Sequence, residues 1–115
     1  MAGSEEITTS VDHRDGVAVL SVGGVVDLFT APTLESALEG LVSQQPKALV
    51  IDLTAVTFLA SVGLKILVET HEQVSKSGRF AVVASSPVTA RPIQLTKLDE
   101  IFRLFPTLDK ALAEL

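Results

Sequence analysis

Two short runs, Ala48-Leu49-Val50-Ile51-Asp52-Leu53 and Phe80-Ala81-Val82-Val83-Ala84, are apolar at nearly every position. A strand with one wet face alternates, whereas continuous apolar runs of this length belong to strands buried in a sheet. Between them lie Leu64, Leu67, Val68, His71 and Val74 at helical spacing, with Ser61 opening the helix and Ser77-Gly78 ending it. A strand, a helix and a strand in succession argue for a sheet covered by helices.

The flanks extend the pattern. The segment 7–12 reads as a short edge strand, and Arg14-Asp15-Gly16 as a turn. Val17 to Val22 form a β-branched strand that Gly23-Gly24 ends, with Val25-Val26 continuing beyond a bulge. Thr30 is placed to cap a helix, Pro32 falls in its first turn, and Leu34, Ala37, Leu38, Leu41 and Val42 line one side. Gln44-Gln45-Pro46 stops it. Ser86-Pro87 begins a third helical stretch carrying Val88, Ile93 and Leu95, interrupted early by Arg91-Pro92. A short strand over 102–105 precedes Pro106, and Thr107 caps a last helix with Leu108, Ala111, Leu112 and Leu115 on one side. The order is β-β-α-β-α-β-α-β-α, with residues 1–6 as a loose tail and 7–115 as one domain.

Composition narrows the chemistry. At 115 residues and 47% hydrophobic, the chain can bury a core without disulfides or metals. The absence of cysteine excludes thiol chemistry and thiolate metal sites and fits a cytoplasmic setting. His13 and His71 are too far apart in sequence to suggest a ligand cluster, and no cofactor is expected. A net charge of −5 without a basic stripe argues against nucleic acid and for steering toward a basic protein surface. No apolar run reaches the roughly 18 residues that a membrane span requires. Ser61 lacks the Gly-x-Ser-x-Gly elbow, neither histidine completes a triad order, and there is no Gly-x-x-x-x-Gly-Lys loop, so no enzyme is expected.

The run from Leu49 to Leu64 carries most information. Its buried strand leads into Phe58-Leu59-Ala60-Ser61-Val62-Gly63-Leu64, delivering a serine to a helix start. A hydroxyl there can cap the helix. It can also carry a phosphate, since free amides and the helix dipole favour an anion. Gly63 leaves room for a partner backbone. Asp52 is placed to bond nearby loop amides, and His71 to sit in the core. Thr57, Ser85 and Ser86 offer hydroxyls outside any motif.

This run resembles the signature of STAS domains, in which a Phe-(Leu/Met)-Asp-Ser-x-Gly-Leu loop follows a buried strand. Gly24-Val25-Val26-Asp27-Leu28-Phe29-Thr30-Ala31-Pro32-Thr33-Leu34 is similar to the family's Gly-x-x-Asp-x-x-Thr-Ala-x-x-Leu run. The resemblance covers the whole domain. It implies a single α/β domain, a mixed sheet of four or five strands with helices mainly on one side. It implies an anti-sigma factor antagonist that binds a serine-kinase anti-sigma factor, frees a sigma factor, and is switched off by phosphorylation of Ser61. A phosphatase acting on Ser61 would reverse the switch. The implied contact surface comprises Asp27, Thr30, Ala31, Pro32 and Thr33, with Ala60, Val62, Gly63, Leu64 and Lys65 around the serine. A monomer or weak dimer is expected. Ala60 stands where the family usually has an acidic residue, so kinase recognition or loop order is expected to differ. The alternative is a STAS module that senses a small or lipidic ligand, or serves a transport system as a soluble partner.

Overall fold

The computed structural model describes residues 6–115. The expected tail over 1–6 therefore lies, apart from Glu6, outside the described residues. Glu6 is already tied to the domain, its carbonyl accepting the Val25 N–H at 3.3 Å.

Five strands form one sheet in sequence order: β1 (Ile7–Arg14), β2 (Val17–Val26), β3 (Ala48–Leu59), β4 (Arg79–Val83) and β5 (Arg103–Phe105). β1 pairs antiparallel with β2 through a turn in which Asp15 and Gly16 have φ of 53° and 86°. That is the double positive φ of a two-residue hairpin matched to the strand twist. The remaining pairings are parallel. They are joined by α1 (Ala31–Ser43), α2 (Ser61–Val74) and α3 (Ala90–Leu95), and α4 (Leu108–Glu114) closes the chain.

Every parallel step moves one strand further in the same direction, and right-handed crossovers of that kind stack their helices on one face. Leu34 and Leu38 of α1, Ile66 and Leu67 of α2 and Ile93 of α3 accordingly pack with Leu49, Ile51 and Leu53. The opposite parity of the same strands supplies Val19, Val50, Ala81, Val83 and Phe105, which Ala111 of α4 covers. The unbroken apolar runs thus have a partner on each face. Three helices on one side and one on the other bear out the expected arrangement.

β3 outruns its expected end, whereas β2 continues past Gly23-Gly24 beyond a bulge, as expected. β2 reaches Val26 through register shifts at Ser21/Gly23 and Gly24/Val25, where Gly24 has φ of 83°. β3 does not stop at Leu53, because the extension of β2 gives it a partner as far as Leu59. The buried stripe of α2 also differs slightly from expectation. It consists of Gly63, Ile66, Leu67, Thr70 and Val74, whereas Leu64, Val68 and His71 are half-buried on its flank. Leu95, the last residue of the six-residue α3, is 72% exposed.

Leu67 is fully buried between α2 and the sheet. Leu67→Ala is expected to lower unfolding stability by about 2–5 kcal/mol, the cost of lost burial plus the residual cavity. Urea denaturation followed by circular dichroism measures it.

Candidate functional site

Beyond the carboxyl ends of β2 and β3 the chain makes two junctions, one into α1 and one into α2. The β2–β3 ladder ends at the Val26↔Leu59 pair. One further bond, from the Ala60 N–H to the Val26 carbonyl at 2.9 Å, continues it past the last pair. The two junctions are therefore held side by side.

The first junction is a hydrogen-bonded clasp. Asp27 Oδ1 accepts the N–H of Phe29 at 2.9 Å and of Thr30 at 3.1 Å. Thr30 Oγ1 accepts the Asp27 N–H at 2.9 Å and donates to the Val25 carbonyl at 2.9 Å. The Ala31 N–H closes onto the Asp27 carbonyl at 2.8 Å. Aspartate suits this position because its short carboxylate reaches amides two and three residues ahead. Thr30 occupies the N-cap position of α1, but its hydroxyl makes no cap bond, being committed to the clasp.

The second junction turns at Ala60, which has extended backbone (φ −82°, ψ 169°) and is the N-cap of α2. Its carbonyl accepts the N–H of Gly63 at 2.9 Å. Ser61 is the first helical residue, one position later than a capping serine would stand, and no side chain caps this helix. Ser61 is exposed, and its side chain is not folded back into a cap bond. The first amides of a helix have no intrahelical acceptor and carry the positive end of its dipole. No acidic residue lies in the first turn to offset that field.

Asp27, Leu28, Phe29, Ala60, Ser61 and Val62 line one open depression. Of the remaining expected contact residues, Pro32, Thr33 and Lys65 are exposed and Leu64 is half-buried. Lys65 lies 3.9 Å from Glu69 across one helical turn. Thr30, Ala31 and Gly63 are buried. A methyl group at Gly63 would come within 2.5 Å of Leu59 Cδ1 and 2.8 Å of Val26 Cγ1. Packing inside the domain therefore disfavours a side chain at this position.

Elsewhere, Asp52 accepts the N–H of Thr54 at 3.0 Å, within β3 and not in the loop expected, because the strand runs on to Leu59. His71 lies against Phe80 and Phe102, with ring centroids 5.8 and 6.3 Å away. Among the described residues no group of His, Asp and Glu side chains is disposed to hold a metal ion. Leu28 and Phe29, inside the expected docking stretch but with no individual role expected of them, are 76% and 93% exposed, and Phe58 is 53% exposed. The available signal was two large apolar residues inside a loop to which periodicity assigns no buried face.

Residues 8–111 match the family model of the STAS domain. The chain is 54% identical over 112 residues to the anti-sigma-F factor antagonist RsfB of Mycobacterium tuberculosis, covering 97% of this chain and 92% of that protein. It superposes on the crystal structure of an anti-sigma factor antagonist from Mycobacterium paratuberculosis with a TM-score of 0.93 and 54% identity, covering 98% and 97% of the two chains. The phosphorylated form of SpoIIAA from Bacillus shares the fold at a TM-score of 0.70 and 14% identity, over 92% of this chain and 97% of that one.

The uncapped start of α2 has a measurable consequence. Ala60→Asp places a carboxylate at an N-cap whose backbone is already extended, and is expected to raise stability by about 1 kcal/mol. Chemical denaturation of the two proteins decides it.

Proposed function

The chain belongs to the STAS-domain family, and from that premise we propose that it is an anti-sigma factor antagonist switched by phosphorylation of Ser61. The observation that carries the reading is the placement of Ser61. It is exposed, at the first position of a helix, in the same depression as the β2–α1 clasp. The 54% identity to a mycobacterial antagonist over 97% of the chain supports the class of partner.

In this reading the unphosphorylated protein docks onto an anti-sigma factor that is also a serine kinase, and the sigma factor is released. Pro32 and Thr33 in the first turn of α1, and Val62 and Lys65 after Ser61 in α2, offer exposed or half-exposed surface and make the contact. The buried Thr30, Ala31 and Gly63 act from beneath, by fixing the backbone that carries it. The chemistry belongs to the partner: Ser61 Oγ attacks the γ-phosphorus of ATP, ADP leaves, and the hydroxyl proton passes to a base of the kinase. A phosphatase resets the switch by hydrolysis. The depression is open to solvent, whereas a site for a small apolar ligand encloses most of its guest, which favours a protein surface as occupant.

Phosphate acts on the complex more than on the fold. A phosphoserine carries about −1.5 to −2 charges at neutral pH. At position 61 those charges face free amides and the positive end of the α2 dipole, a favourable place within the monomer. At an interface the same group must be desolvated. A penalty of about 3–4 kcal/mol weakens binding by roughly two to three powers of ten.

Calorimetric titration of both forms against the purified anti-sigma kinase tests the switch. The expected result is near-equal thermal stability and circular dichroism for the two forms, with affinity lower by about a hundredfold to a thousandfold for the phosphorylated one. Ser61→Ala abolishes phosphate incorporation in intact-mass mapping. Ser61→Asp weakens binding less than phosphate does, having less charge and fewer acceptor oxygens. Phosphate mapped to Thr57 or Ser85, or equal affinity for both forms, would overturn the reading.

A further inference from the structure

Local folding accounts for Asp27 and Thr30, which close the clasp, but not for the two residues between them. Positions inside a turn of this kind suit polar residues or glycine. Leu28 and Phe29 stand there instead, and Phe29 is 93% exposed. Neither side chain belongs to or packs on the two core clusters.

The aromatic is also held firmly at its base. Bonds from the amides of Asp27, Phe29 and Thr30, together with the Thr30 hydroxyl, fix the backbone on both sides of it. A side chain presented on an ordered loop loses little further backbone freedom on binding, which is the condition for a preorganised anchor. Its surroundings are apolar as well. Among the described residues that line the depression, Asp27 alone is charged, and its carboxylate is turned to the loop amides.

We infer that Phe29, with Leu28 beside it, is the apolar anchor by which this protein engages the kinase-type anti-sigma factor, seated in a concave apolar receptor on that partner. The inference rests on the function proposed above and adds to it the chemistry of recognition. The occupant follows from continuity: Phe29 and Ser61 line the same depression, so a protein that covers the Ser61 hydroxyl covers Phe29 too. Phe29 is a recognition residue, separate from the phosphorylated hydroxyl. The Asp27–Thr30 clasp is its positioning device.

The test titrates the purified kinase-type anti-sigma factor with the wild-type chain, Phe29→Ala and Thr30→Val, and follows Ser61 phosphorylation with ATP. Phe29→Ala is expected to keep the wild-type melting temperature and to weaken binding by about thirtyfold or more, the range of an interface hot spot. In the kinase assay it should raise KM and leave kcat unchanged, since it touches no reacting atom. Thr30→Val should weaken binding with Phe29 still present, and the double variant should lose less than the product of the two effects. Affinity of Phe29→Ala within twofold of wild type, while wild type binds and is phosphorylated, overturns the anchor and leaves the proposed function standing. Failure of the wild-type chain to bind overturns both. Concentration-dependent dimerisation of wild type that Phe29→Ala abolishes assigns the surface to a second copy and overturns the anti-sigma assignment.

Discussion

The arrangement of the site depends on the parallel pairing of β2 with β3 being carried to its far end. Parallel strands separated by a crossover helix have no local turn to fix their register. Here the register shifts at Ser21/Gly23 and again at Gly24/Val25 in the same sense, so that Val26 meets Leu59 and the next amide, of Ala60, still finds the Val26 carbonyl at 2.9 Å. That bond places the Asp27–Thr30 clasp and the start of α2 next to each other, although Asp27 and Ser61 are separated by a whole helix and a strand. Gly63 makes the closeness possible, since a side chain there would collide with Leu59 and Val26, the pair that ends the ladder.

Polar and apolar groups divide the work at this end of the sheet. The side chains of Asp27 and Thr30 serve the backbone, absorbing amides and a carbonyl that the strand-to-helix transition would otherwise leave unpaired. At α2 the opposite choice is made. Ala60 offers no cap, the first turn holds no acid, and Ser61 faces water. A helix start left in this state has field to spare for an added anion, and a modification there changes the surface with little disturbance beneath it. The stable body that permits this is the two-sided core, closed by α1–α3 on one face and α4 on the other.

Much of this was legible in the residues. The unbroken apolar strands, the Asp15-Gly16 turn and the Thr107 cap, whose hydroxyl accepts the Lys110 N–H at 3.1 Å, are local signals with local causes. Ser61 was legible through its motif. The roles around it were less so. Thr30, Ala31 and Gly63 sit in the motif, and their burial is not visible from the sequence. Leu28 and Phe29 fall in the same stretch, but an apolar residue in a loop carries no periodicity to say whether it points in or out.

By itself, then, the sequence determined the alternation of elements, which strands are buried, the hairpin at Asp15-Gly16 and the serine at a helix start. Each follows from a periodicity or a backbone preference that acts within a few residues. The tertiary structure alone decided how far β2 and β3 run together, why a side chain is disfavoured at position 63, which motif residues face solvent, and that Phe29 shares a depression with Ser61. Those outcomes depend on which distant backbone groups find partners and which side chains find cover, and neither is fixed until the strands are paired and the helices packed.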